Sequence, residues 1–436
     1  MQSWLDSARR RKSLDARPWM LASILLLSLF FGLVSHVSAN ELSVGTGQYT
    51  TIQAAVNAAK SGDTVSVAPG TYTENVLVNK PLTILAASAR PTVRAADTSK
   101  DVFLVTSPGV RVDGLTVTGG ASGVHIQNTS KCVVTSIFGR DNVRGVYLSH
   151  STENEISNCN LADNSYGIYG DSASSNTIAS NVATGSTGNG QTLGDGIFLN
   201  YGDSNTITQN NLSANHVFGI SLYSSPRNII SNNTFSDNDL VGVRLAPGSN
   251  DNTISFNTLA RNGQTSHQSA QEFPPSGILI VRATGNKIYL NNFISEPSAL
   301  IGASAAILNS PEKMVYMFNG VEQSGYMGNY YSDYKGADSD GNGVGDTSAT
   351  TGDAYPLIHT IGQYEKVQLA SAAASSVGQD NENVNASEQS VSTSAGGEAA
   401  ALAIPTLIII CGIIAAIVIF LKWGRSETSE VPEKRI

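Results

Sequence analysis

A glycine followed by an alternating apolar triplet recurs at Gly123, Gly145, Gly167, Gly196, Gly219, Gly242 and Gly277, as in Gly219-Ile220-Ser221-Leu222. A second segment follows each triplet. It runs from Asn205 to Leu212 in one copy and restarts at Asn228, Asn252 and Asn286 in others. An Asn or Asp closes most copies: Asp141, Asn164, Asn215, Asn238, Asn262. The step between glycines is about 22 residues four times, with two longer exceptions. A fixed period of this size marks a solenoid. The alternation makes the segments strands, with Ile220 and Leu222 on one face and Ser221 on the other. Strands this short hold no core alone, so successive copies must stack and bury one together. The expected fold is therefore an all-β solenoid, a parallel β-helix climbing about 4.8 Å per turn.

The asparagines fit that geometry. Corners of such a coil need left-handed backbone, which Asn tolerates better than most residues. The column Asn181, Asn210, Asn233, Asn257, Asn291 is expected to stack as an amide ladder, with Cys159 and then Ser136 in the same register one and two coils earlier.

The chain has 436 residues, with 14% charged, 41% hydrophobic and a net charge of −9. That length suits a solenoid better than one compact core, and the acidic balance argues against a nucleic-acid partner. Cys132 and Cys159 fall at different registers of the repeat and Cys411 in a distant apolar run, so no disulfide framework is expected.

Residues 1–39 have the form of an export signal: Arg9 to Lys12 and Arg17, an apolar stretch from Trp19 to Val34, then Val37-Ser38-Ala39. The ectodomain is expected over 40–358. It opens with an amphipathic helix in which Thr50 and Gln53 suit a capping box and Ile52, Ala55, Val56 and Ala59 share a face; this helix is the candidate N-terminal cap. Strands are then expected at 64–67, 75–78, 82–85, 102–105 and 110–117. Residues 362–400 have too few large apolar groups to order and suit a flexible stalk. Residues 402–421 carry no charge over about 20 residues, enough for a transmembrane helix. Lys422, Arg425, Lys434 and Arg435 follow it, which places 422–436 in the cytoplasm and the β-helix outside.

From Tyr49 through Gly62-Asp63-Thr64-Val65-Ser66-Val67-Ala68-Pro69-Gly70-Thr71-Tyr72, with the Asn-rich repeats behind it, the chain resembles the pectin-lyase-like superfamily, and within it the NosD-type surface proteins. The likeness covers roughly residues 42–358. It implies a right-handed parallel β-helix, here of about ten coils, with repeats over about 123–302. It also implies a copper-maturation accessory role as one functional class. The stretch Gly328-Asn329-Tyr330-Tyr331-Ser332-Asp333-Tyr334, within a C-terminal cap at 324–357, is similar to the ending of archaeal surface proteins of this type, with Tyr331 in place of the usual Trp. The repeats specify fold far better than function.

Four chemistries can be weighed. Asp338, Asp340, Asn342, Val344 and Asp346 stand at calcium-loop positions 1, 3, 5, 7 and 9, with Gly343 at 6 and Ala349 where an EF-hand has Glu. A weak structural calcium site closing the solenoid is the expectation. The outward residues of the first strand form the column His125, Tyr147, Tyr169, Phe198, Ser221, Arg244, Leu279, beside Gln127, Ser149, Asp171, Asn200 and Tyr223. Rings and amides in successive coils suit a sugar, so His125, Tyr147, Tyr169, Phe198, Asn200, Tyr223 and Arg244 are the candidate carbohydrate face, expected as a flat platform. The two longer steps insert residues before Gly196 and Gly277, expected to flank a shallow cleft over Phe198, Asn200, Ser221, Tyr223 and Arg244. Polysaccharide cleavage by a lyase or epimerase needs clustered carboxylates, yet Asp171 and Arg244 stand three coils apart and Asp195 has no evident partner. Copper favours His, Met and Cys, but His125, His150, His216, His267 and His359 are scattered. Asn128, Asn211, Asn232 and Asn385 begin glycosylation sequons. The expectation is a membrane-tethered, non-catalytic surface protein that binds envelope glycan or packs into the envelope.

Overall fold

The computed structural model describes residues 39–188, 194–264 and 273–369. Residues 1–38 of the expected signal (1–39), 370–400 of the expected stalk (362–400), the transmembrane span at 402–421 and the tail at 422–436 lie outside the described residues; the start of the expected stalk is instead ordered, because Glu365–Leu369 is a strand paired with Met314–Phe318. Among the described residues no helix is long and apolar enough to cross a membrane.

Each coil contributes three short strands, and equivalent strands pair in parallel. One face is a ten-stranded sheet from Val76–Val78 to Leu300–Ile301, and the second is a twelve-stranded sheet from Glu41–Val44 to Ala306–Ile307. The third is made of two four-stranded pieces. The solenoid runs to about eleven turns rather than about ten. The difference lies at the C-terminal end. Tyr330–Tyr331 pairs with Asn292 and Phe293, so the patch expected to be separate is one more partial coil.

The core is a set of vertical columns. Val124, Val146, Ile168, Ile197, Ile220, Val243 and Ile278 are successive register partners, each 0% exposed. Full burial of a Val or Ile stabilises by about 1.5–3 kcal/mol relative to exposure. The repeat-leading glycines are needed for space: a Cβ on Gly219 would lie 2.7 Å from Gly242 O and 2.7 Å from the Phe235 ring.

Asparagine ladders run up all three corners. The expected column holds from Cys159 through Asn181, Asn210, Asn233, Asn257 and Asn291, and continues to Asn329 and then Asp353. A second ladder runs Asn154, Asn176, Asn205, Asn228, Asn252, Asn286. The third has Asn142 and Asn164, then Asn215, Asn238 and Asn262, ending on Glu296. In each Asn–Asn rung one amide oxygen accepts both the backbone N–H and the side-chain amide of the residue one coil before, as Asn233 does from Asn210 at 2.9 and 3.0 Å.

Three details of the sequence reading change. The left-handed residue is the one before each ladder asparagine: Ser180, Gln209, Asn232, Phe256 and Leu290 all have φ near 55°. The ladder amide overdetermines the corner, so even Phe256 and Leu290 are held there. Ile137, not Ser136, takes the register below Cys159, because Ser136 pairs with the left-handed Asn158 position. Asn142, not Asp141, carries the third ladder. Cys132 and Cys159 are buried, free thiols that head ladders. Cys159 Sγ donates to Val134 O and Ser157 O, as Asn210 Nδ2 donates to Ile178 O and Thr208 O. A thiol thus stands in for the amide.

The N-terminal helix is Ile52–Ala58, capped by Thr51 rather than Thr50. The Glu74 carboxylate accepts the Ile52 and Gln53 N–H groups at 2.9 and 3.0 Å. Its expected face is buried, with Ile52, Ala55 and Val56 each 0% exposed. The stretch 110–117 is two strands, Arg111–Asp113 and Thr116–Thr118, turned at Gly114 with φ 74°. At the far end a three-stranded antiparallel sheet, Met314–Phe318, Val321–Gly325 and Glu365–Leu369, closes a separate small core.

Replacing Asn233 by Ala removes the acceptor of two Asn210 donors and leaves the buried Asn210 backbone N–H unpaired, while its side-chain amide keeps Ile178 O and Thr208 O, so the loss expected is about 2–4 kcal/mol. Asn232→Ala, one residue away on an exposed left-handed position, is the control. Guanidinium unfolding of the two variants compares them, and equal losses would show that the ladder contributes nothing particular.

Candidate functional site

The outer face of the ten-stranded sheet carries the expected column in register: His125, Tyr147, Tyr169, Phe198, Ser221, Arg244, Leu279. It extends to Leu77 and Leu104 below and Ile301 above. Parallel pairing forces this alignment.

The rings pack on one another rather than forming a flat platform. His125 stacks on Tyr147 with centroids 4.2 Å apart, but Tyr147 meets Tyr169 edge-on at 76°. Tyr169 and Phe198 tilt at 38°, and Tyr166, which the sequence reading passed over, fills the angle between them. The Arg144 guanidinium lies over Tyr147 and Tyr169. Burial raises the pKa of the Tyr147 and Tyr169 phenols, with Asp171 adding to it. His125 is 7% exposed and held by Asp101 and Ser149, so it offers little surface of its own.

The upper part of the face differs from the expected cleft. Ser221 is 0% exposed, and Phe218, Val241 and Leu279 form a second apolar cluster on the outside of the sheet. Phe273, at the end of the second insertion, packs edge-on against Phe218 at 5.2 Å. Arg244 lies over both rings and donates to Ser221 Oγ at 3.1 Å. Phe273 thus packs against Phe218 and the Arg244 guanidinium, where an open cleft was expected over Ser221 and Arg244. Beneath lies Asp195, wholly enclosed, with neither carboxylate oxygen hydrogen-bonded. Burial pushes its pKa well above the carboxylate range, opposed by Arg244 and the Phe218 backbone.

The open part of the face lies along its edge. Tyr201 is 57% exposed and Tyr223 39%, with ring centroids 6.3 Å apart and nearly perpendicular. Asn200 beside them donates to Asp171 at 2.9 Å. Tyr223 and Asn200 were expected. Tyr201 was missed because it occupies a left-handed corner, φ 52°, outside the alternating triplet.

In the Asp338 loop the carboxylates serve the loop itself. Asp338 accepts the Asn342 and Gly343 N–H groups at 3.0 and 2.9 Å. Asp340 accepts from the Asn342 side chain, and Asp346 from the Ser339 hydroxyl at 2.6 Å. Val344 is buried and bridges to Leu357, while the Tyr316 and Tyr364 hydroxyls donate to Asn342 O and Gly343 O. The loop is therefore part of the C-terminal cap. Among the described residues no three of His, Cys, Asp and Glu converge as metal ligands. A cation here requires Asp346 to leave Ser339. For copper, Cys132 and Cys159 are enclosed in the corners and Met314 and Met327 in the cap; His267 lies outside the described residues. The sequon asparagines Asn128, Asn211 and Asn232 are exposed, and Asn385 lies outside the described residues.

A polar hollow of ≈ 310 Å³ opens at the C-terminal end beside Glu296, Ser298, Tyr331, Asp333 and Thr351. Glu296 terminates the third ladder, accepting from Asn262 N and Nδ2 at 3.1 and 2.8 Å. Burial raises its pKa to about 7.

A family model described as "Periplasmic copper-binding protein (NosD)" matches residues 57–274. A cell surface glycoprotein of Methanothermus fervidus is 28% identical over 119 residues, 27% of this chain; the matched part spans only 20% of that protein's length. Among solved structures, an alginate lyase from Paenibacillus sp. is 16% identical with a TM-score of 0.49, covering 62% of this chain and 99% of its own. The A-module of the Azotobacter vinelandii mannuronan C-5 epimerase AlgE4 is 15% identical with a TM-score of 0.41, covering 60% and 93%.

Glu296 gives a pH signature of known sign. With its pKa raised in the folded state, the native protein holds a proton that the unfolded chain releases, so this stabilisation is complete below about 4.5, the ordinary glutamate value, and lost as pH rises through about 7. Melting temperature is expected to fall across that window, and Glu296→Gln to flatten the fall while keeping the ladder contact. An unchanged pH profile in the variant would assign the titration elsewhere.

Proposed function

The chain belongs to the NosD family, and from that we propose that it is a cell-surface β-helix that binds envelope polysaccharide along one outer face without cutting the polymer backbone. The observation that carries the reading is the exposed Tyr201–Tyr223 pair beside Asn200 and Asp171. Sugars present apolar ring faces and hydroxyl edges, and aromatic planes flanked by an amide and a carboxylate match both. Tyr147, Tyr169 and Phe198 continue the strip as half-buried rings. His125 and Arg244 act as supports for that strip rather than as contacts. The surface location agrees with the name of the Methanothermus relative. Anchoring through 402–421 rests on the sequence pattern alone.

Backbone cleavage by a lyase or epimerase would need an acid or base open to the polymer beside a cation or Arg. Asp195 is enclosed, and the Arg244 guanidinium lies against the Phe218 and Phe273 rings, which favours binding over cleavage. A copper-accessory role would draw on soft ligands that the described residues keep apart.

Calcium at the Asp338 loop belongs to the same proposal as a structural ion. Exchange of Ser339 for the ion at Asp346 would supply a third carboxylate to Asp338 and Asp340. Titration with calcium is expected to raise the melting temperature, an effect that Asp338→Asn removes. No shift in the unmutated protein would leave the loop a self-closed turn.

Tyr201→Ala combined with Tyr223→Ala is expected to lower retention on acidic and neutral polysaccharide columns about tenfold or more, since each stacking contact contributes about 0.5–1.5 kcal/mol beyond its buried area. The melting temperature should stay unchanged because both rings are exposed. Full retention of the double variant would remove this face as the binding site.

A further inference from the structure

Three successive coils place an acid, an imidazole and a hydroxyl in line on the outside of the ten-stranded sheet. Asp101 precedes the strand Phe103–Val105, His125 lies in Ser122–Gln127, and Ser149 ends Arg144–Ser149. Asp101 Oδ2 is 2.7 Å from His125 Nδ1, and His125 Nε2 is 2.8 Å from Ser149 Oγ. A carboxylate only accepts, so Nδ1 carries hydrogen and the neutral ring turns the Nε2 lone pair to the Ser149 hydroxyl. Stacking on Tyr147 at 4.2 Å fixes the ring plane. Nucleophile, base and orienting acid at these separations are the arrangement that activates a serine.

Mutual satisfaction of three polar groups is the plainer account. Two features go beyond it. The group lies on the outward face of the sheet, with the His125 and Asp101 side chains 9% and 17% exposed and Ser149 beneath them at 5%. A hollow of ≈ 310 Å³ also opens at the acid end of the line, against Asp101, lined by Asn75, Leu77, Ser99, Lys100 and Leu104, with His125 and Ser149 outside its lining. Its apolar floor, Leu77 and Leu104, suits a short acyl group, and Lys100 at its rim suits an anionic polymer.

We infer that Asp101, His125 and Ser149 form a serine-hydrolase centre for acyl esters, with O-acylated envelope polysaccharide as the substrate class. Only the substrate class rests on the glycan-binding reading; the centre stands on its own geometry. Ser149 Oγ attacks the acyl carbonyl carbon while His125 Nε2 takes its proton. The carbon–oxygen bond to the sugar breaks, and the sugar oxygen takes that proton. Water, deprotonated by His125, then cleaves the acyl-Ser149 ester and releases the carboxylic acid, and the proton returns to Ser149. Asp101 stays a carboxylate throughout. The His150 N–H is spent on Asp171 O at 2.8 Å, so the developing oxyanion must draw on a side-chain donor.

The test uses the full chain, a fluorophosphonate probe, p-nitrophenyl acetate, and O-acetylated polysaccharide assayed for acetate release. The expected result is a single adduct mapped by mass spectrometry to Ser149, with ester turnover. Ser149→Ala and His125→Gln should abolish both while melting cooperatively. Asp101→Asn is expected to lower kcat about a hundredfold or more with KM unchanged, as a positioning residue should. Absence of a Ser149 adduct in the folded, unmutated protein overturns the centre. An adduct and p-nitrophenyl acetate turnover without acetate release from polymer keeps the centre and overturns the substrate class. Retention on unacetylated polymer, measured separately, reports on the binding face alone.

Discussion

The structure depends on one repeated contact: a buried asparagine whose amide oxygen takes two hydrogens from the coil before. Each coil turns three corners, and each corner forces a residue into left-handed backbone, which costs about 1–3 kcal/mol for most residue types. The ladders offset that cost and leave the buried corner N–H groups satisfied. They also set register. Since each amide meets the next at one height only, a coil cannot slip without orphaning several donors at once. The side chains between corners are then free to vary, which is why Phe256 and Leu290 are accepted at left-handed positions.

Fixed register turns sequence distance into vertical distance. Residues about 22 apart become neighbours about 4.8 Å apart on a flat face. The inward columns fill with Val, Ile and Leu because they see only each other. The outward columns have no such restriction and hold what differs between surfaces. On this chain they hold rings and hydrogen-bonding groups along one sheet, the apolar cluster around Phe218 with Phe273 packed on it, and the Asp101–His125–Ser149 line lower down. The solenoid is a scaffold on which each patch is set by two or three coils, so the Tyr201–Tyr223 pair and the Asp101–His125–Ser149 line can coexist without sharing residues.

Both ends are closed by different means. At the start a seven-residue helix covers the core, anchored by Glu74 from the coil beneath it. At the finish Asn329 and Asp353 continue the ladder into the cap, and Tyr331 stacks flat on Phe293 at 5.3 Å. A Tyr suits this place because its hydroxyl donates to Asp353 at 3.1 Å, inside a region where burial raises that carboxyl's pKa.

The sequence by itself determined the solenoid, the inward and outward columns and most of one asparagine ladder, because each follows from period and alternation, which are properties of the chain order. It misplaced the turn count, the ends of the repeats, and the ladder register at Ser136 and Asp141, where copies drift from the consensus. Tertiary structure alone decided what the surface residues do. Ring tilt between Tyr147 and Tyr169, the burial of Ser221 and the exposure of Tyr201 depend on how side chains pack over the sheet. Asp101 sits two residues ahead of its strand, outside any column, and joins His125 only because a diagonal between coils brings their atoms within 2.7 Å. Periodicity reports who shares a column; contacts across columns depend on rotamers and on where loops come to rest, and those are set only when the whole coil stack is packed.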